Sequence, residues 1–249
     1  MKILFLDLET SPHQGYSYGP KYETSIIKYT RHGELLSVAW KWLGKKKLHG
    51  VKRVNYVLGT DKPLAEALWK AMDEADVIIG HNIDKFDKRT ANTYFAKFNL
   101  PPPSNYFTID TLKVVRKNFA LPSYKLDDVC QYFGLGKKLG TGGFDLWDAC
   151  MNSDIKALEK MLRYNKHDVF LLEPLYNFLL PWIPNHPNMA LINDRPGACP
   201  ICLHTKFKSI GWRYTKTQKY RRFRCTKCQS VIRENKGAMP KGEKVMVSV

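Results

Sequence analysis

Acidic residues in an ordered set and cysteines in two close pairs are the groups of this sequence best suited to chemistry. Asp7-Leu8-Glu9 places two carboxylates two residues apart at the end of a short apolar run, Lys2 to Leu8. As a buried strand, that run turns both carboxylates to one face. Like charges on one face of a buried strand repel unless a cation neutralises them. Oxygen ligands of this kind suit Mg²⁺ or Mn²⁺. The bland alternative is a solvated strand end with acids there by chance. A second element, Gly80-His81-Asn82-Ile83-Asp84-Lys85-Phe86-Asp87, follows an apolar run and opens a helix. Asp84 reads as its N-cap and Asp87 as an acid of the first turn that can still project toward the strand ends. In the third, Tyr164-Asn165-Lys166-His167-Asp168, Tyr164 and Asp168 stand at i and i+4, about 6 Å apart along one helix face. His167 falls about 100° away round the helix. A core-edge aromatic and a surface acid are the ordinary reading of that pair. Asp84, Asp110, Asp145 and Asp148 compete for the same role, and Asp110 reads as a helix cap before it reads as a ligand.

Cys199-Pro-Ile-Cys202 and Cys225-Thr-Lys-Cys228 are separated by 22 residues. Each pair offers two thiolates, and two pairs complete a tetrahedral Zn²⁺ site. The gap exceeds the usual spacing of about 15–20, an excess that a β-hairpin absorbs. A module this short has little core, so the metal should supply much of its folding free energy. Two redox pairs are the alternative, but two knuckles and a hairpin account for all four thiols. Between and beside the pairs, Lys206, Lys208, Arg213, Lys216, Lys219, Arg221, Arg222 and Arg224 alternate with Trp212, Tyr214, Tyr220 and Phe223. Basic side chains among aromatics suit nucleic acid, through phosphate contacts and base stacking. Trp212, Arg213, Arg221, Arg222 and Arg224 are the candidate contacts. Otherwise the aromatics are the module's core and the charges are solvated.

The charge distribution separates the same two regions. The 249 residues carry 40 Lys+Arg against 23 Asp+Glu, a net +17. Residues 195–249 hold 14 of the basic residues and two acids, a net +12. That imbalance predicts two domains with different tasks and a polyanionic partner. At 44% hydrophobic and 12% aromatic residues, the chain can bury a core, which excludes a disordered or collagen-like protein. No run of 18 apolar residues exists, so no helical membrane span is expected. The apolar start is short and interrupted by Asp7, unlike a signal peptide. A soluble, cytoplasmic protein follows as the expectation, with Cys130 and Cys150 as buried small residues in helical sequence.

The elements that must position these groups read as follows. Strands are expected over Lys2–Leu8, Leu35–Leu43, Lys47–Val54 and Asp76–Gly80, with Thr10–Thr30 a loop and Gly44 a turn. Helices are expected from Asp61, its cap, to Ala75, over Lys85–Phe98, from near Asp110, and over Leu126–Phe133 with Ser123 as cap and Gly134 as stop. The glycine-rich stretch Gly134–Gly143 carries Lys137 and Lys138, candidate phosphate contacts. Ser153–Arg163 and Lys166–Leu180 form one or two helices before Pro181, Pro184 and Pro187. The pattern is α/β, a mixed sheet flanked by helices, followed by a small C-terminal β module. The expected boundaries are 1–185, a linker over 186–196, a zinc ribbon over 197–235 and a flexible tail over 236–249.

In order and spacing, Asp7-x-Glu9, Asn82-x-x-x-Phe86-Asp87 and Tyr164-x-x-x-Asp168 resemble the three motifs of the DnaQ-like DEDD exonucleases. The tyrosine at that position resembles the DEDDy subclass. The histidine subclass does not match, because Arg163 stands where its histidine would. Ile109-Asp110-Thr111-Leu112 and Ser123-Tyr124-Lys125-Leu126 are also similar to the segment between the second and third motifs. The resemblance covers residues 1 to about 180. It implies an RNase H-like fold and 3′→5′ hydrolysis of phosphodiesters with two Mg²⁺ or Mn²⁺. It further implies Asp7, Glu9, Asp87 and Asp168 as ligands, Tyr164 orienting the water, and Asn82 near the substrate. One structural Zn²⁺ belongs to the ribbon. Single-stranded DNA is the favoured substrate, with RNA open, and a polymerase or a replication or repair complex acting in trans is a candidate partner. The other readings are a non-catalytic nucleic-acid binder or polymerase accessory and a structure-specific endonuclease on the same fold.

Overall fold

The computed structural model describes residues 1–19, 25–57, 59–137, 139–140, 142–239 and 246. Two compact units emerge, residues 2–175 and residues 176–249 with Met1. In the first, the elements run β1 (Ile3–Thr10), β2 (Gln14–Tyr16), β3 (Lys28–Arg31), β4 (Leu35–Trp42), β5 (Leu48–Lys52) and α1 (Lys62–Asp73). There follow β6 (Val77–Gly80), α2 (Asp87–Lys97), β7 (Phe107–Asp110), α3 (Thr111–Asn118), α4 (Leu126–Tyr132), α5 (Asp145–Met151) and α6 (Ile155–Leu179), whose residues from Tyr176 on count with the second unit.

Five strands form one sheet in the order β5-β4-β1-β6-β7. β5, β4 and β1 pair antiparallel, while β6 and β7 run parallel to β1. β1 is therefore central and covered on both faces, which is why its first half, Ile3–Leu6, is a continuous apolar run. Leu4, Leu6 and Leu8 pack with Leu64, Leu68, Met72 and Phe95 of α1 and α2. A second cluster packs Leu36 of β4 with Leu146 and Cys150 of α5 and Ala157, Leu158 and Met161 of α6. Alternation along β1 thus turns Asp7 and Glu9 away from the α1/α2 layer. The mixed α/β architecture flanked by helices is the expected one.

Local differences have local causes. Thr10–Thr30, read as a loop, contains the β2–β3 hairpin, whose exposed residues show no buried alternation. β7 was hidden because only Ile109 and Asp110 of its four residues are buried. α5 is a short helix around Cys150, a residue expected in helical sequence. The stretch expected as one or two helices is a single helix, 25 residues long, that continues through Pro174. Asp61 stands at the start of α1 but does not cap it; its carboxylate meets Lys97 Nζ at 3.4 Å. Ser123 likewise caps nothing on α4: its hydroxyl meets the Asp128 carboxylate.

A buried polar network joins the strand ends. Arg53 is fully buried; its guanidinium donates to the carbonyls of Asn55 and Val57, at 3.1 and 2.5 Å, and meets Glu34 Oε2 at 3.3 Å. Arg31 binds the same Glu34 carboxylate and stacks 3.7 Å from the Tyr56 ring centroid. The Tyr56 hydroxyl lies 2.6 Å from Ser11 Oγ, two residues beyond Glu9, and Tyr56 N donates to Ser153 Oγ at 2.8 Å. The network therefore ties the end of β1 to the α5–α6 junction.

In the second unit a 3₁₀ turn over Leu180–Trp182 and a short helix α7 (Met189–Ile192) precede β8 (Phe207–Tyr214), β9 (Lys219–Cys225) and β10 (Val231–Arg233). α7 lies in the stretch expected as linker, capped by Asn188 Oδ1, which accepts from Ala190 N and Leu191 N. The three strands form an antiparallel sheet, β10-β9-β8, with a bulge between Ser209 and Trp212 where Gly211 takes φ +91. Beyond Met239, Met246 alone of the expected tail is among the described residues. Among the described residues no helix is long and apolar enough to cross a membrane.

Arg53→Met should lower unfolding free energy by about 3 kcal/mol, because it leaves Glu34 buried with one cation fewer. A urea midpoint within error of the parent chain would refute the structural role assigned to this network.

Candidate active site and metal centres

The carboxylate oxygens of Asp7, Glu9 and Asp168 lie within 4.8 Å of one another. β1 supplies the first two by its period of two. α6 supplies the third, and two features hold it in place. Gly50 on β5 lets Leu162 and Lys166 of α6 approach within 2.9 Å of where a Cβ would be. Asn165 Nδ2 donates to Asp7 Oδ2 at 2.5 Å. Asn165 is fully buried and Asp168 is 2% exposed. Asn165 was not foreseen. Its spacing three residues before Asp168 puts both on one helix face, and that was the available signal.

Asp87, also 2% exposed, is not in that triad, but its Oδ1 accepts from the backbone N of Leu8 at 3.3 Å, between Asp7 and Glu9. Burial pushes its carboxyl up to about 7, an effect opposed by backbone N–H donors and reinforced by the charge of Asp110. The loop that delivers Asp87 begins at Asn82, which adopts a left-handed φ of 75. Asn82 N donates to Asp110 Oδ1 at 3.0 Å, and Asp84 N to Asp110 Oδ2 at 3.4 Å. Asp110 also caps α3 through Leu112 N, as expected of it. One carboxylate thus fixes a helix start and a loop through N–H donors. Asp84 was expected to cap α2, and it does not: Phe86 stands at that position. The Asp84 carboxylate instead accepts from Thr108 Oγ1 and Lys113 Nζ, at 2.7 and 2.5 Å. Those donors and the two lysines nearby hold its pKa below the ordinary value against the opposing effect of burial. Asp145 and Asp148 are exposed on α5 and do not join the triad.

Tyr164 sits one helical turn before Asp168, with its ring edge-on to Trp147 at 6.3 Å between centroids. Trp147 also lines an open, mostly apolar cleft of about 410 Å³ with Thr10, Pro12 and Phe144, next in sequence to Glu9. Trp147 was not foreseen as a site residue: the helical sequence around Cys150 gave no sign that it would lie beside Tyr164. His167 turns away from the acids: its Nε2 lies 2.7 Å from the carbonyl oxygen of Lys137, which brings the exposed Lys137 to α6 one residue from Asp168. Lys138 lies outside the described residues. His81 is held by Thr111 Oγ1 and the Tyr124 carbonyl, at 2.9 and 2.8 Å, in keeping with a structural role.

The four cysteines meet in the second unit, with Sγ atoms within 4.8 Å of one another. The two turns are built alike. Leu203 N bonds Cys199 O and Gln229 N bonds Cys225 O, and both Leu203 and Gln229 adopt left-handed φ values of 61 and 62. Backbone N–H groups of Ile201 and Cys202 point to the Cys199 sulfur, as those of Lys227 and Cys228 do to Cys225. Cys199 and Cys228 sulfurs are 3.7 Å apart, and those of Cys202 and Cys225 are 3.6 Å apart. A tetrahedron with Zn–S bonds of about 2.3 Å has S···S edges of about 3.8 Å, so the donor set fits such an ion. Burial pushes the Cys199 and Cys202 thiols up, and a cation is what would offset that. His204 stays outside the set and meets Thr226 Oγ1 at 3.0 Å.

A family model described as RNase_H superfamily (RNase_H_2) matches residues 22–180. Its match begins after Asp7 and Glu9. Among solved structures the chain is similar to the family B DNA polymerase from the hyperthermophilic archaeon Pyrobaculum calidifontis. The identity is 20% and the TM-score 0.52, over 72% of this chain and 24% of that one. The chain thus spans about a quarter of that polymerase, and the likeness is one of fold. No curated protein matches.

The purified chain should carry one Zn²⁺, measured by mass spectrometry under native conditions. Cys202→Ser should lose it and melt the near-ultraviolet signal of the β8–β10 sheet. A zinc-free chain with that signal intact would refute the metal centre.

Proposed function

Because the chain belongs to the RNase H superfamily, we propose that it is a metal-dependent 3′→5′ exonuclease of the DEDDy kind, acting on nucleic acid. The convergence of Asp7, Glu9 and Asp168 carries this reading. Four carboxylates suit two divalent ions whose other positions go to phosphate and water. Asp7 would be shared, Glu9 and Asp168 would hold the ion on the nucleophile's side, and Asp87 would hold the other. Bound Mg²⁺ or Mn²⁺ would supply positive charge to the attacking and leaving oxygens of an in-line displacement and lower the pKa of the attacking water.

The chain's own residues prepare the site. Asn165 orients Asp7 by donating to it. Asp110 positions the loop from which Asp87 starts its helix. Tyr164 orients the water: a phenol, with an ordinary pKa of about 10, is a poor base at neutral pH. The cleft of Thr10, Pro12, Phe144 and Trp147 suits a terminal base unstacked from its strand. Lys137 is placed to meet a phosphate. The Cys199, Cys202, Cys225 and Cys228 set holds a structural Zn²⁺ in a ribbon that adds affinity for the strand. Single-stranded DNA is the substrate we favour, in replication or repair, with a polymerase in trans.

With Mg²⁺ and a 5′-labelled single strand, the chain should produce a ladder that shortens from the 3′ end, and it should leave a circular strand intact. Asp7→Ala and Asp168→Ala should each reduce this to the uncatalysed background. Full activity in either would refute the assignment, and cut circles would mean an endonuclease. Asn165→Ala should lower the rate by about 10–100-fold, as lost support of a ligand does. An unchanged rate would show that Asp7 needs no such support.

A further inference from the structure

The register of the ribbon sheet sorts its basic residues into two faces. Residues directly opposite in antiparallel strands share a face. β9 pairs Cys225 with Phe207, Phe223 with Ser209 and Ile232, Arg221 with Trp212, and Lys219 with Tyr214. That face carries the apolar contact of Phe207 with Phe223, 6.4 Å between centroids. On it, Lys219 and Arg221 lie 5.2 and 5.6 Å from the Trp212 ring centroid, so this aromatic is already covered by cations. The intervening residues of β9 pair Arg224 with Lys208 and Val231, Arg222 with Arg233, and Tyr220 with Arg213. The second face therefore holds Lys208, Arg213, Arg222, Arg224 and Arg233.

Nothing on this second face neutralises those cations. No acid stands among its paired positions, and among the described residues no ion pair involves any of the five. Lys208, Arg213, Arg224 and Arg233 are exposed. Arg222 is half-buried, and its Nε is enclosed with no acceptor among the described residues. Tyr220, the aromatic on this face, lies beneath Arg233, 4.1 Å from guanidinium carbon to ring centroid. Alternate residues of one strand lie about 6.6 Å apart, so the cations form a grid rather than a point. Arg222, Arg224 and Arg233 donate to the carbonyls of Ile210, Gln229 and Glu234, which holds them without cancelling their charge. A grid of fixed cations with no acid partner and no free aromatic is suited to a chain of phosphates and not to the faces of bases.

We infer that this face, Lys208, Arg213, Arg222, Arg224 and Arg233, clamps the phosphate backbone of nucleic acid without reading its sequence. The inference rests on the nucleic-acid reading above and divides the ribbon's candidate contacts. Arg213, Arg222 and Arg224 belong to the clamp, whereas Trp212 and Arg221 belong to the opposite face.

The test uses the full chain with Asp168→Ala to prevent cleavage. Fluorescence anisotropy follows a labelled single strand of mixed sequence over a range of salt concentrations. Lys208→Ala/Arg213→Ala/Arg224→Ala should reduce the slope of log affinity against log salt by about 2, from three lost single-strand phosphate contacts. Lys219→Ala/Arg221→Ala should leave the slope unchanged, and oligothymidine and oligoadenosine should bind alike. Zinc content verifies that each variant is folded; should the triple variant lose zinc, Lys208→Ala and Arg213→Ala are measured singly, each expected to reduce the slope by about 0.7. Equal losses on the two faces, in proportion to charge removed, would overturn the clamp, as would an unchanged slope in the triple variant. A strong preference between the two homopolymers would also overturn it. A chain that binds through this face but never cleaves with Mg²⁺ would sink the nuclease alone. A chain that cleaves with a slope indifferent to these residues would sink the clamp alone.

Discussion

Carboxylates crowded at the end of a buried strand are the constraint around which the first unit is organised. Asp7, Glu9 and Asp168 have oxygens within 4.8 Å of one another, and Asp87 reaches the backbone between the first two. Such a group would be strongly unfavourable as bare charge in a poorly solvated place. Burial first, and then the charge of Asp110, raise the Asp87 carboxyl to about 7, a sign of how costly charge is in this place. Divalent cations relieve it, and the same neutralisation would ready the pocket for a phosphodiester. The surrounding elements serve this arrangement. Central β1 gives the acids a rigid floor, α6 brings Asp168 with its helper Asn165, and Asp110 fixes the loop that leads to Asp87.

The second unit meets a related problem with sulfur in place of oxygen. Its small sheet has little apolar area, and its two cysteine turns concentrate four sulfurs where one tetrahedral ion would bind them. With the ion in place, the strands are free to carry charge rather than core. The bulge at Gly211 keeps Trp212 with Lys219 and Arg221, while the arginines with no acid partner occupy the other face. Most of the chain's net positive charge thus has a location and an orientation, and the overall +17 describes neither unit well.

Much of this was legible in the residues. Runs such as Ile3–Leu6 and Val77–Ile79 are apolar throughout because strands buried on both faces leave no polar side, so the central strands were plain. The acid motifs and the cysteine pairs were visible because ligands delivered by one strand or turn must keep a short spacing. β7 and the β2–β3 hairpin were not, because half-exposed strands lack a distinctive pattern. Asp84 and Ser123 were misread as caps for a related reason: a cap is decided by which donor a side chain reaches first. Lys113 and Thr108 compete for Asp84 from a distant part of the chain, and Asp128 for Ser123.

By itself, then, the sequence determined which groups could do chemistry and which strand or turn would carry each, since those depend on spacings of two to four residues. Only the tertiary structure decided which of them meet. Asp7 and Asn165 are 158 residues apart yet share a hydrogen bond, and no local periodicity encodes that approach. The candidate contacts Arg213, Arg221, Arg222 and Arg224 were grouped together along the chain, and strand register divided them, because a period of two becomes two faces only once the partner strand is known.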